Sequence, residues 1–526
     1  MTTAAASSYD EIPYSDRCFF MTHPDHLATL AIVHGVPVPP VERFRVLELG
    51  CARGGNLLPM ALEAPESTFV GVDLSVLQIE EARERAAQLG LENVVLHAMS
   101  LADIDASFGL FDYIVCHGVY SWVPDFVRER ILSICSENLS PNGLAFVSYN
   151  TYPGWHERGM VRELMLYHAR HPASVSERLE RARGIVEELT GVLPNPSSPY
   201  GTGLQVEREV LRDVSDAYLF HEFLEDENQP THVHEFLTRA ARFGLEFVAE
   251  ASTPGLLLGL PAQAQEAIAR WATDVTSREQ YLDFVINRSF RRTVLRRAGG
   301  PAATRTSPDV VAGLWVTAAV MPGVPDPVVS DDSAVEFARP EKAGSVTTNR
   351  PVVKAALLTL FEERPRALDF ETLWSGVQAR LAAPGGPVIA GGTELRNELM
   401  GAILQLYVSD LVGLHVRPPR PVTEVSERPV ASSYARLQAA TATRVTSLRR
   451  RGVELEEFDR AVLLLLDGTR DVDRVLDALV EEVLAGRFDL SQAGEPVRDP
   501  DVIRAVFASE VETTVRRMAS DALLMG

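Results

Sequence analysis

The stretch VLELGCARGGN, residues 46–56, decides how this chain reads. An apolar strand runs into a glycine-bearing turn, and the residues behind it return to helical spacing. Glycine suits a chain that must turn sharply and let a ligand approach its backbone, and the helix start behind such a turn favours a negative group. Glu48 narrows the choice, because an acid two residues before Gly50 opposes a pyrophosphate.

Outward from that loop, RVLELG, TFVGVDL, NVVLHAM, FDYIVCHG and GLAFVSYN read as five strands between about Phe44 and Asn150. LSVLQIEEARERAAQLG between them is an amphipathic helix, and DFVRERILSICSENLSPNG is a second helix expected to stop at Pro-Asn-Gly. Strands separated by helices predict a parallel, doubly wound α/β sheet with its ligand beyond the carboxyl ends of the strands.

The acid at Glu48 fits the ammonium and sulfonium end of S-adenosylmethionine. Asp73 ends the second strand, where a carboxylate accepts both hydroxyls of a ribose. Cys51, Ala52, Gly54, Gly55 and Asn56 complete the loop, Leu74 follows the ribose acid, and Ser100 and Leu101 fall where an adenine lies. Many methyltransferases have Asp where this chain has Ser100, a departure that touches only adenine hydrogen bonding. Cys116 to Val119 pass beside the sulfonium, and Tyr120 and Trp122 bring aromatic faces that attract cations; plain packing of a helix cap is the alternative for these two.

Further along, residues 160–189 are helical by period and LPNPSSPYGTG is a loop. Helices dominate from Val206 to Arg297, including SREQYLDFVINRSFRRTVLRR, whose Arg288, Arg291, Arg292, Arg296 and Arg297 read as a basic helix end favoured by the helix dipole. Gly299 to Asn349 reads as an irregular linker with one short strand pair. Pro351 to Val416 has the helix-helix-helix-strand order of a winged-helix-like module, Arg417 to Pro429 is a second linker, and the remainder is mainly helical.

The chain has 526 residues, 46% hydrophobic and 23% charged, enough for about three or four domains at roughly 150 residues each. A formal charge of -22 argues against nucleic-acid backbones and anionic lipid, so neither a nucleic-acid partner nor a DNA-binding role for the winged-helix-like module is expected. Cys18, Cys51, Cys116 and Cys135 form no metal or disulfide spacing, which suits a reduced cytosol. No signal peptide is expected from MTTAAASSYDEIPYSD, and no apolar run reaches the length of a membrane span. The expected location is the cytoplasm.

With these motifs the sequence resembles class I S-adenosylmethionine-dependent methyltransferases, and more narrowly the bacterial type with a methyltransferase regulatory domain, whose members include the rickettsial outer-membrane-protein lysine methyltransferases. YDEIPYSDRCFFMTHPDHLATLA, CHGVYSWVP, SYNTYPGW, YLFHEFLEDENQP, RFGLEFVAEA, YLDFVINRSFRRTVL, RLQAATATRVTSLRR and LLLLDGTRD carry the narrower match, over nearly the whole chain. The resemblance implies a Rossmann-like catalytic domain, a helical regulatory domain and a winged-helix-like C-terminal region. It carries the family's cofactor motif onto Glu48, Gly50, Gly54, Gly55 and Asp73, and its fourth-strand motif onto His117. The expected boundaries are an N-terminal lid at 1–40, a methyltransferase domain at 41–170, a regulatory domain at 206–300, a winged-helix-like domain at 350–416 and a helical domain at 430–526.

The leading expectation is methylation of a protein lysine or another large nucleophile, with S-adenosyl-L-methionine as the cofactor. A lysine amine, of pKa about 10.4, must lose its proton in an apolar pocket before it attacks. His117, Tyr120, Tyr149 and Asn150 are the catalytic candidates, and Tyr14 and Trp122 the candidates to line the substrate pocket. A small-molecule methyltransferase and a cofactor-binding regulator without turnover are the competing functions; a dehydrogenase ranks behind them because Glu48 opposes its pyrophosphate. His221, Glu222, His232, His234 and Glu235 look like a metal cluster, but no spacing sets a third ligand, and a polar helix-turn-helix surface is expected instead. His23 and His26 in THPDH read either as a turn and helix start or as part of a lid that excludes water. Oligomeric state is left open, a homo-oligomer included.

Overall fold

A computed structural model describes residues 12, 17–171, 174–251, 259–300, 307–318, 320–339, 344–382, 392–418, 420–422, 424–492 and 495–525. The chain divides into two units, one chiefly of Val36–Ser252 and Leu256–Ala303, the other chiefly of Arg17–Gly35 and Thr304–Gly526.

The first unit is built on strands β1 (Arg45–Leu49), β2 (Thr68–Asp73), β3 (Val94–Ala98), β4 (Phe111–Cys116), β5 (Leu139–Asn150), β6 (Leu245–Glu250) and β7 (Phe290–Arg297), in the order β3-β2-β1-β4-β5-β7-β6. The first five pair in parallel, as expected from the apolar runs. β1 and β4 are buried along nearly their whole length because helices cover both faces. Helix Val76–Gln88 shows why its sequence folds so: Ser75 accepts from the Gln78 N–H at 3.1 Å to cap it, and buried Ile79, Ala82 and Ala86 recur at helical spacing.

Two sequence expectations are corrected here. Pro141–Asn142–Gly143 does not stop the preceding helix; Asp125–Glu137 ends earlier, at Asn138, whose side chain donates to the Asp105 and Gly109 carbonyls. The tripeptide lies inside β5, where the register against β4 shifts, and a bulge tolerates a proline that cannot donate to the ladder. Nor do the arginines after Ile286 form a helix end. Helix Val275–Ile286 stops at Asn287, which takes φ 51°, and Phe290–Arg297 is an extended strand pairing antiparallel with both β5 and β6. Arg291, fully buried, donates from Nε and Nη2 to the two Asp283 carboxylate oxygens at 2.8 and 2.7 Å and reaches Glu279 at 3.1 Å. Its charge is answered on the helix packed against the strand, which periodicity cannot show.

In the second unit the stretch expected as a linker carries β8 (Trp315–Ala318), β9 (Met321–Pro322), β10 (Val335–Ala338) and β11 (Ser345–Thr348). β9 to β11 form one small sheet; β8 pairs between β12 (Leu368–Asp369) and β13 (Val412–His415) in another. Helices Pro351–Glu362, Phe370–Leu381 and Gly392–Val408 pack with these strands in one apolar core. Among the described residues the remainder holds four helices between Ser433 and Ser520, with the hairpin Arg444–Thr446/Gly452–Glu454, around a core of its own. Among the described residues no helix is long and apolar enough to cross a membrane.

The stretch expected as a lid is, over Arg17–Gly35, part of this second unit. His23 caps helix Pro24–Val33 by accepting from the Asp25 N–H at 3.1 Å. The buried Asp25 carboxylate accepts from the Val416 and Arg417 N–H groups at 2.8 and 2.7 Å and meets His415 Nδ1 at 2.8 Å, with Arg450 Nη1 at 3.7 Å. Burial alone raises its pKa, but His415, with Arg450 and His23 adding, holds it well below the usual carboxylate range. One side chain thus ties the N-terminal helix to β13 and to the C-terminal core.

Asp25→Ala removes the carboxylate that the Val416 and Arg417 N–H groups, His415 and Arg450 share, so the second unit loses about 3 to 5 kcal/mol, read as a lower urea midpoint and faster hydrogen exchange over Pro24–Val33. Because the folded pKa is depressed, the native contribution is complete at neutral pH and drains away as pH falls below the unfolded value of about 3.9; the variant shows a weaker acid dependence.

Candidate active site

The site forms where β1 and β4, neighbours in the sheet, send their following segments away at their carboxyl ends. Gly50 leaves β1 at φ 77°, and a Cβ there would lie 2.4 Å from Val119 Cγ2, so only glycine lets the loop pass the segment after β4. Ala52 is also left-handed, at φ 47°. The loop is held from β2: Asp73 Oδ2 accepts from the Ala52 N–H at 2.9 Å and Oδ1 from the Ser75 N–H at 3.0 Å. Gly55 and Asn56 lead into helix Leu57–Glu63.

Glu48 is 4% exposed. Its Oε1 accepts from Asn56 Nδ2 at 2.8 Å, whereas Oε2 is buried with no hydrogen-bond partner among the described residues. Burial pushes the carboxyl up to about 8, the Asn56 hydrogen bond pulling against that and the Asp73 charge adding to it. An orphaned carboxylate oxygen is costly unless a cation arrives, so this corner fits the ammonium end of S-adenosylmethionine. The neighbouring Cys51 thiol is pushed up by burial and then by Asp73 and Glu48, and is no nucleophile.

At the end of β3, the Ser100 hydroxyl accepts from the Ala102 N–H at 3.2 Å and caps a short turn, with Leu101 buried behind it. Leu74 is 51% exposed beyond Asp73. After β4, the His117 ring stacks on Phe146 at 5.9 Å and meets Phe290 edge-on at 6.3 Å. Burial, with the Arg292 charge adding, drives its imidazole down to about 3, so it is neutral at ordinary pH.

Register sorts the remaining candidates. Glu48 pairs with Val115 and Val115 with Phe146, so these share one face; Ser148 and Asn150 follow Phe146 at alternate positions on that face, and Tyr149 points to the other. There Tyr149 stacks on Phe236 at 4.2 Å, and its hydroxyl meets Thr293 Oγ1 at 3.0 Å. Tyr120 lies edge-on to the same phenylalanine at 5.2 Å, its phenol pushed up to about 12 by burial although Arg239 pulls against it. Both tyrosines are core residues behind the sheet. Trp122 meets Trp155 edge-on at 6.5 Å, and Asn150 donates to Asn228 Oδ1 at 3.1 Å. Tyr14 lies outside the described residues. The metal-like residues are otherwise engaged: His221 bonds Glu225 and the Ile12 carbonyl, and Glu222 pairs with Arg158.

Several contributors escaped the sequence reading. A Cβ on Gly71 would lie 2.7 Å from Cys51 Sγ and 2.8 Å from Leu96, so the β2 glycine makes room for the loop; a glycine inside TFVGVD was the available signal. Ser148 Oγ accepts from the Gly118 N–H at 2.8 Å, and Ser121 accepts from the Asn150 N–H at 2.9 Å and the Gln229 N–H at 2.8 Å. Nothing in the spacing pairs these residues.

The order of the sheet, the acid before the glycine loop and the acid at the end of β2 define a class I S-adenosylmethionine-dependent methyltransferase. Residues 41–191 match a methyltransferase domain, 215–297 a predicted methyltransferase regulatory domain, and 427–523 the PKMT C-terminal winged helix domain. The PKMT winged-helix match thus falls on the last module, where a helical domain was expected. An uncharacterized protein of Rickettsia prowazekii is 34% identical over the whole of this chain and 95% of its own length, and a second from that organism is 39% identical over 45% of this chain and 94% of its own. The structure of PKMT2 from Rickettsia typhi in complex with AdoHcy superposes with a TM-score of 0.86 at 28% identity, covering 98% of this chain and all of the other. This chain belongs to the class I methyltransferases that carry a regulatory domain and a PKMT winged helix, and its cosubstrate is S-adenosylmethionine.

Two results test the corner around Glu48. Cosubstrate binding at pH 7 releases a proton as the raised Glu48 carboxyl ionises against the ammonium; calorimetry of S-adenosylhomocysteine in buffers of different ionisation enthalpy shows the release shrinking above pH 8, and Glu48→Gln lacks it. Asp73→Ala, which removes a charged acceptor and frees the Ala52 N–H, weakens binding at least about tenfold, in line with roughly 1.5 to 3 kcal/mol for charged hydrogen bonds.

Proposed function

We propose that this enzyme transfers a methyl group to the side-chain amine of lysine in a protein substrate. The observation that carries the reading is the likeness to PKMT2 along 98% of the chain, including the parts beyond the methyltransferase domain. S-adenosylmethionine supplies a methyl on a sulfonium already activated for displacement, so the chain has to bind, orient and exclude water. Glu48 and Asp73 hold the ammonium and the ribose, and Gly50, Gly54 and the N–H groups of the loop shape the bed between them. His117, Trp122 and Asn150 meet the amine: aromatic surroundings disfavour its charged form, and a neutral imidazole or the Asn150 side chain accepts one of its hydrogens and orients the lone pair. Cys51, Cys116 and Cys135 are buried thiols, which suits a reducing compartment, and we place the reaction in the cytoplasm.

Labelled S-adenosylmethionine incubated with lysates split into protein and small-molecule fractions puts label on protein, as methyllysine after acid hydrolysis. The enzyme's own sequence has two lysines, Lys342 and Lys354, and Lys354 is buried with its ammonium held by three carbonyls and Asp331, so self-labelling adds little background. Label confined to small molecules, or to residues other than lysine, overturns the reading; label in neither fraction favours a regulator. With chemistry limiting, the rate rises with pH with an apparent pKa below about 10.4, and no inflection from His117 appears between pH 5 and 8 because its imidazole titrates near 3.

A further inference from the structure

Two residues beyond Asn150 the chain begins a run of rings, half-buried at Tyr152 and His232 and exposed at the others. Tyr152 stacks on His156 at 4.3 Å and lies 5.3 Å from His232; His232 in turn stacks on His234 at 5.4 Å and meets Phe284 at 5.8 Å. These come from three elements, the start of helix Trp155–His168, the cap of helix Val233–Arg242 and helix Val275–Ile286, so no local sequence pattern announces them. The run is clipped to the end of β5: the Thr231 N–H donates to the Asn150 carbonyl at 3.1 Å, and Thr151 Oγ1 donates to the Thr231 carbonyl at 2.7 Å. Gln280 holds the imidazoles in place, with Oε1 2.7 Å from His234 Nδ1 and Nε2 3.4 Å from His232 Nδ1.

Phe284 is 51% exposed, and His156 and His234 are exposed as well. Two carboxylates flank the rings: burial first, then Glu235 and Glu163, push the Tyr152 phenol up, and Glu235 acts on His232 against the neighbouring His234 and His156. Ring faces flanked by carboxylates attract a guanidinium or ammonium group, and the charge of -22 on the whole chain brings such a group in from a distance.

We propose that the ring surface of Tyr152, His156, His232 and Phe284 seats an arginine or lysine of the protein substrate, a few residues from the lysine that is methylated. The proposal rests on the reading of the acceptor as a protein lysine and adds to it a preference for basic sequence context. Asn150, on the Glu48 face of the sheet, and Tyr152, in the turn that follows, place the two subsites at the same end of β5.

The test compares two fluorescein-labelled peptides, each with one central lysine, flanked by arginines in one and by the neutral isostere citrulline in the other. Anisotropy is read on the full chain with S-adenosylhomocysteine bound, at pH 8. The arginine peptide binds about tenfold more tightly at low salt, and the advantage shrinks as salt is added. Tyr152→Leu brings the ratio to within about twofold of one. Glu163→Gln, an exposed change that leaves the fold alone, cuts it by about threefold; Glu235 is avoided because it also accepts from the His232 N–H. A native ratio within twofold of one, or a ratio that survives both substitutions, overturns the proposal. Methyl transfer to the same peptides is measured separately: an arginine preference in binding without label on lysine rejects the acceptor and keeps the surface, whereas label without the preference rejects the surface and keeps the acceptor.

Discussion

The Asp73 carboxylate accepts one backbone N–H from the loop after β1 and one from the loop after β2, and the rest of the site depends on that double attachment. With Ala52 drawn towards β2, the chain between Gly50 and Gly54 runs through left-handed conformations, and it passes Val119, and its Cys51 passes β2, at distances only glycines at 50 and 71 permit. Glu48 is then sealed below the loop with one oxygen on Asn56 and the other bare. Burying a carboxyl this way costs free energy, which a cation placed against the bare oxygen would recover. The raised pKa of Glu48 is the trace of that arrangement.

A second constraint comes from the far edge of the sheet. The segment matched by the regulatory-domain model supplies β6 and β7, so it is an integral part of the catalytic sheet as well as a set of helices. β7 pairs with β5 along Ala145 to Asn150, the strand that ends in Asn150, and Thr293 on β7 meets the hydroxyl of Tyr149 behind it. Arg291 ties this strand to helix Val275–Ile286 through Asp283 and Glu279. Breaking a buried ionic group of this kind strands the remaining charges, so the regulatory segment has to be present for β5 to be held in register. A chain cut near residue 170 would leave that edge open.

Much was legible in the residues themselves. Five parallel strands, the loop and both acids followed from apolar runs, glycine content and the chemistry that carboxylates perform at those positions, because each depends on a short window of chain. What failed had long-range causes. SFRRTVLRR looks like a helix end until Asn287 turns left-handed and β5 offers a pairing edge. Tyr149 looks like a site residue next to Asn150, yet alternation sends it to the opposite face, and a wrong face follows from any one-residue doubt about register.

The sequence by itself determined the class of chemistry: a sheet of the doubly wound kind, a loop that turns on glycine, an acid two residues before that loop and an acid at the end of the second strand, all set by local steric and electrostatic demands. Only the tertiary structure decided which face each candidate occupies, that Ser100 caps a turn, that the helix begun in THPDH is built into the second unit through Asp25, and that Tyr152, His156, His232 and Phe284 share one surface. Those facts are distances between residues far apart in the chain, created when strands pair and helices pack, and no spacing along the sequence encodes them.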